Sequence, residues 1–236
     1  MMMSKRGVRL WAATVACLGA AVTIGAQEAQ KPQVKIPQPG VPQIMTIEGN
    51  FVRAAYNNEG YVILGYQVAN RSIGDEWMLV DVGMTVMQGR QKLVREDVSL
   101  ETPDGKTLPL PTIPEYRETD TRALQNRSKV QRDSINYFPP KASQACRIGF
   151  FSDTDQSAMA WDQVELSDTR ACLGRLYFKI PGGIQYGQYW LNVKFDGSLV
   201  RVPFRMLTEA EEKTLSKNYK DIRKQVQEAF KKKKTN

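Results

Sequence analysis

No histidine occurs among the 236 residues. That absence excludes Ser-His-Asp and Cys-His nucleophilic catalysis, histidine metal sites and imidazole pH switching. Cysteine is almost as scarce, with three in the chain and no CxxC pair, so dithiol redox chemistry is not expected. Long apolar runs are missing after the first 26 residues, and no later segment has the length needed to cross a bilayer as a helix. The GxSxG, SxxK and HExxH signatures are absent too. Gly105-Lys106-Thr107 ends like a phosphate-binding loop, but Leu100 stands where the first glycine is required. What remains is ordinary globular composition, 42% apolar and 25% charged, which rules out a disordered chain, a collagen and a coiled-coil rod.

The N-terminus reads as a secretory signal peptide over residues 1–26. Lys5, Arg6 and Arg9 form a positive start, Leu10 to Ile24 is apolar, and Ala26 is a cleavage point with Ala21 as a second candidate. A retained anchor is the alternative, although the run of about 15 residues is shorter than the ~20 needed to span a membrane. Cys17 suggests a lipoprotein site, and Thr14-Val15-Ala16 before it fits such a site poorly. Residues 27–43 hold Pro32, Pro37, Pro39 and Pro42 and read as an extended spacer.

The formal charge is +8, from 33 basic and 25 acidic residues. Lys5, Arg6 and Arg9 are three of those 33 cations and Lys231, Lys232, Lys233 and Lys234 are four more, leaving 26 against the 25 acidic residues in the body. A nearly neutral body gives no nucleic-acid surface. The lysine tail is a candidate for attachment to an anionic membrane or envelope surface. Cys146 and Cys172 form an even pair in a chain expected in an oxidising compartment, and they are expected to be bridged.

From residue 44 to 206 the pattern is β. Gly60–Ala69 reads as one strand, Trp77–Gln88 as a second with period-two alternation, and Leu93–Leu100 as a third before a Pro103-Asp104-Gly105 turn. Asp196-Gly197 marks a hairpin. Centring the register there sets Tyr189 opposite Phe204, Leu191 opposite Val202, Val193 opposite Val200 and Phe195 opposite Ser198, all on one face. Residues 114–137, rich in charge and free of proline after Pro114, read as an inserted helix. Thr208-Glu209-Ala210-Glu211 is a capping box. It opens a C-terminal helix whose narrow stripe is Leu215, Tyr219, Ile222, Val226 and Ala229. That stripe either packs on the protein's own sheet, forms a homo-oligomer seam or lies on a membrane.

The fold class expected is therefore mainly β, an antiparallel sandwich with an inserted helix and a C-terminal amphipathic helix. Gly187-x-Tyr189-x-Leu191-x-Val193 followed by a hairpin return resembles the penultimate strand of bacterial immunoglobulin-like and fibronectin-like modules. The resemblance implies a sandwich and makes Tyr189 a candidate for the tyrosine placed at the start of that strand; it implies no activity.

Few side chains suggest chemistry. Asp153-Thr154-Asp155 starts like a calcium loop, but Ala158 and Val164 stand where glycine and glutamate are needed, so no metal and no cofactor are expected. Tyr186 and Trp190, beside the Gly182-Gly183 loop, are candidates for glycan or peptide recognition, the alternative being that both rings pad the core. Asn70-Arg71-Ser72 and Asn126-Arg127-Ser128 are glycosylation sequons. The expectation is an exported, periplasmic or secreted, non-catalytic binding or scaffolding protein with a protein or envelope-polymer partner. The alternatives are a module held at a membrane surface by its lysine tail and a histidine-independent carboxylate hydrolase.

Overall fold

The computed structural model describes residues 43–120, 122–130, 133–152, 159–218 and 220. The expected signal peptide, nearly all of the expected spacer, the calcium-like loop at Asp153–Ala158, most of the C-terminal stripe and Lys231–Lys234 lie outside these residues. Strands β1 (Ile44–Ile47), β2 (Val52–Tyr56) and β3 (Gly60–Gly65) lead into a one-turn helix α1 (Gln67–Asn70) and the long strand β4 (Trp77–Val86). Strand β5 (Arg90–Val94), a 3-10 turn at Arg95–Asp97, β6 (Val98–Glu101) and β7 (Thr107–Pro109) follow. Helices α2 (Ile113–Arg117) and α3 (Arg122–Val130) precede β8 (Gln144–Ile148), β9 (Gln163–Ser167) and β10 (Arg170–Lys179). The chain closes with β11 (Gly187–Lys194), β12 (Leu199–Met206) and helix α4 over residues 209–218.

The strands form a six-stranded sheet ordered β1-β2-β3-β4-β10-β8, a four-stranded sheet ordered β12-β11-β6-β7, and a two-stranded ribbon of β5 and β9. All pairs are antiparallel except β10 with β8. The last hairpin has the register that parity requires: Tyr189 pairs with Phe204, Leu191 with Val202 and Val193 with Val200. These side chains are buried, and they share one apolar core with Val62, Leu64, Val80, Val82 and Met84 from the larger sheet. The two sheets come close at Gly60, where an added Cβ would lie 2.1 Å from the Phe195 ring. At the far side the Tyr66 and Phe204 rings stand 5.2 Å apart.

All ten positions of β4 are buried, not just alternate ones. The reason is the insertion. Tyr116 of α2 packs against Phe151 and Tyr177 at ring separations of 4.9 and 4.8 Å, and so covers one end of the outer face of the large sheet. Residues 133–138 cover more of it, with Ile135 and Phe138 packed on Val52, Ala54 and Ile63, and at the other end the Ser167 carbonyl of β9 accepts the buried Thr85 hydroxyl at 2.9 Å. Glycines on the strands make room: a Cβ on Gly83 would lie 2.6 Å from the Phe138 ring, and one on Gly65 would lie 2.7 Å from Asp133. Beneath this cover Asp81 and Arg175 form a buried ion pair at 3.3 Å, which balances two charges that burial alone would penalise.

Three expectations are corrected. The strand expected over Gly60–Ala69 stops at Gly65, because Tyr66 leaves the sheet and the Asp133 carboxylate accepts the Gln67 N–H at 2.8 Å at the start of α1. The segment Leu93–Leu100 is not one strand: it breaks at Arg95–Asp97 and passes from the ribbon to the four-stranded sheet. The inserted helix expected at about 114–137 is two short helices, and residues 133–139 after them run without helix. Its start is nonetheless a capping box, in which Thr112 Oγ1 accepts the Glu115 N–H and Glu115 accepts the Thr112 N–H at 2.8 Å.

Helix α4 begins as its sequence requires. Glu211 accepts the Thr208 N–H at 2.9 Å, Thr208 accepts the Glu211 N–H at 3.3 Å, and the bonds from Thr208 hold the Glu211 carboxyl below its ordinary value. Leu215 packs against the main core. Asn70 is buried, and its side chain bonds the backbone of Leu207 from both ends, accepting its N–H at 2.6 Å. The first sequon therefore serves as a structural clamp.

Candidate functional site

Cys146 and Cys172 sit opposite one another on the parallel strands β8 and β10 and are disulfide-bonded, 26 residues apart. The bond ties the edge strand β8 to the sheet and closes the loop that carries Met159 and Trp161. These two residues are 71% and 58% exposed, the largest such values among the described large apolar residues after Val130. The Trp161 backbone N–H donates to the Gly149 carbonyl at 2.8 Å. The Cδ1 edge of its ring lies against Gly149, where a Cβ would approach to 2.6 Å, so the glycine leaves room for the indole there.

Arg95 is the pillar under this loop. It is buried, donates to the Phe150 carbonyl at 2.6 Å and to the Pro111 carbonyl, and stacks over the Phe151 ring at 4.6 Å. Its backbone N–H bonds the Asp162 carbonyl at 3.0 Å, and its guanidinium lies 3.8 Å from the Asp162 carboxylate. Burial lowers the guanidinium's proton affinity, and the Asp162 charge partly restores it. The result is an exposed aromatic and an exposed thioether held on a fixed base, an arrangement suited to binding by apolar contact.

A second concave region flanks α4. A cavity of about 480 Å³ lies between Asn50, Gln67, Asp133, Tyr137 and Ser216, and one of about 500 Å³ lies on the side facing Arg71, Lys213 and Lys217. Asn50 donates to Ser216 at 2.8 Å, and Arg71 pairs with Glu212 at 2.6 Å. Burial pushes the Asp133 carboxyl up to about 6, against the opposing pull of the Gln67 N–H. One Asp133 oxygen is committed to that N–H. The carboxyl ties the covering segment to α1, and the groove around it is lined by groups of both charges.

Tyr186 and Trp190 are not brought together. Tyr186 is 54% exposed, whereas Trp190 is 3% exposed and lies under the Arg201 guanidinium, 4.7 Å from its ring centroid. Arg201 is held there by Asn192 at 3.0 Å and by an ion pair with Glu101. Trp190 is thus part of the packing of the four-stranded sheet, which corrects its reading as a ligand platform. Among the described residues, no group of three His, Cys, Asp or Glu side chains is placed to hold a metal. No described helix is long and apolar enough to cross a membrane.

Sequence reasoning missed Trp161, Met159 and Arg95. A tryptophan in a polar, loop-like stretch is a usable signal for the first. Arg95 gives none, because burial of an arginine follows from the tertiary path alone. No protein-family model matches the chain, and no curated protein or solved structure matches it.

Proposed function

We propose that this protein is an exported, non-catalytic binding or scaffolding protein of the cell envelope, periplasmic or secreted, built on an immunoglobulin-like sandwich. The Cys146–Cys172 bond supports export, since such bonds persist in oxidising compartments. Two facing sheets support the sandwich reading, as does Tyr189. That buried hydroxyl donates to the Gln185 carbonyl at 3.1 Å and accepts the Gln185 N–H at 3.0 Å, the local tie of a tyrosine corner. The parallel β8–β10 pair and a disulfide within one sheet depart from antibody domains.

The observation that carries the binding reading is the exposed Trp161, fixed by Gly149 and the Arg95 pillar, because aromatic anchors on rigid bases dominate binding energy. A photo-crosslinking residue in place of Trp161, in producing cells, is expected to give a discrete adduct with an envelope component. The same residue in place of the exposed Lys194 is the control. No adduct beyond the control, or Cys146 and Cys172 trapped as thiols inside the cytosol, would refute the proposal.

A further inference from the structure

Four strand edges end the two larger sheets, and three are guarded. Strand β7 is three residues long and ends at Pro109. Strand β12 turns Arg201, Pro203 and Arg205 outward; Pro203 lacks a donor, and the Gln43 side chain already bonds the Arg201 N–H at 2.8 Å and its carbonyl. Strand β8 carries Arg147 and the disulfide to β10. Proline, charge and short length are the usual protections against edge pairing. Strand β1, four residues long, has neither proline nor charge: its residues are Ile44-Met45-Thr46-Ile47. Ile44 is 54% exposed, Met45 39% and Ile47 55%.

The hydrogen-bonding parity of this edge can be worked out. The Phe51 carbonyl accepts the Tyr66 N–H on the β3 side, whereas the Val52 carbonyl accepts the Glu48 N–H on the β1 side. Val52, Ala54 and Tyr56 therefore bond towards β1, and their partners Thr46 and Ile44 bond inward. Met45 and Ile47 turn their N–H and C=O groups to the outer edge. In an antiparallel match, outward residues must oppose outward residues.

We propose that two copies of this chain associate through β1, antiparallel about a twofold axis at Thr46, so that their six-stranded sheets become one. In that register Met45 faces Ile47 of the second copy, Thr46 faces Thr46, and Ile44 faces Glu48. The strand has no charge, so self-pairing opposes no like charges, and the same patch serves both partners as an isologous interface demands. Gln43, anchored on β12, fixes where the edge begins. Four residues from each copy make a small interface, so the association is weak and concentration-dependent.

Sedimentation velocity on the whole chain from ~1 to ~200 µM is expected to show a reversible rise from monomer to dimer mass. Met45→Pro removes an outward donor only, a position where an edge strand tolerates proline. It is expected to stay monomeric throughout with an unchanged unfolding midpoint. Ile47→Lys is expected to weaken association at least ~10-fold by placing a charge in the paired edge. Thr46→Cys is expected to yield a crosslinked dimer under mild oxidation that wild type does not form. A wild type that is monomeric at ~200 µM overturns the proposal. So does a Met45→Pro variant that dimerises as wild type does. A monomer whose Met45 and Ile47 amides resist hydrogen exchange overturns it as well, and assigns the edge to another segment.

Discussion

Removing the Arg95 side chain is the sharpest perturbation of the loop that presents Trp161. Arg95→Ala leaves the buried carbonyls of Phe150 and Pro111 without their charged donor. Each such bond is worth about 1.5–3 kcal/mol. The stacking on Phe151, at 4.6 Å, adds about 0.5–2 kcal/mol. The Asp162 contact adds little, since that carboxylate is 78% exposed. These contributions overlap, and water entering the vacated space satisfies part of the loss, so the expected destabilisation is about 3–5 kcal/mol. With a urea slope of about 2 kcal/mol/M, the midpoint falls by about 2 M. Arg95→Lys keeps the charge but not the forked geometry that reaches two carbonyls and a ring, and is expected to recover less than half. Asp162→Asn is expected to stay within about 0.5 kcal/mol of wild type. Equilibrium urea unfolding, followed by circular dichroism, measures all three, and acrylamide quenching of tryptophan reads the loop itself. A midpoint for Arg95→Ala within experimental error of wild type, or full recovery by lysine, would refute the pillar argument.

Other consequences follow from single contacts. Asp133 is held at about 6, above its unfolded value of about 3.9, so the folded protein binds the extra proton between those pH values. Its contribution is complete below about pH 4 and declines as pH rises through about 6. Asp133→Asn keeps an acceptor for Gln67 and is expected to remove that decline, and an unaltered pH slope of stability would count against the assignment. Reducing Cys146–Cys172 is expected to cost about 3.5 kcal/mol, from closure of a 26-residue separation, with chemical denaturation of oxidised and reduced protein as the comparison. Trp190→Ala is expected to cost about 3–5 kcal/mol, whereas Tyr186→Ala leaves the melting temperature within a degree or two; similar melting of the two variants would show that burial does not separate them.

How far the chain could be read without coordinates depended on how local each signal was. The β11–β12 register was fully legible, because a two-residue Asp196-Gly197 turn leaves one pairing that buries Tyr189, Leu191 and Val193 together. The capping box at Thr208–Glu211 was legible for the same reason, both partners lying within one turn. Leu93–Leu100 misled because an apolar run reads as one strand even where it changes sheets at Arg95. Gly60–Ala69 misled because the residue that ends the strand, Asp133, is 66 positions away from Gln67. Trp190 was ambiguous until Arg201 and Glu101 were seen closing over it.

Alternating side chains and short turns by themselves determined a mainly β protein and its final hairpin, since period-two patterning and chain-local turns act over a few residues; the pairing of the two late cysteines was expected from their even number in a chain read as exported. Only the tertiary structure decided that the insertion covers the outer face of the large sheet, that Arg95 is buried beneath the Trp161 loop, and that β1 ends the six-stranded sheet. Each of those depends on which distant segments exclude water from one another, and that is set by how sheets and loops pack in three dimensions.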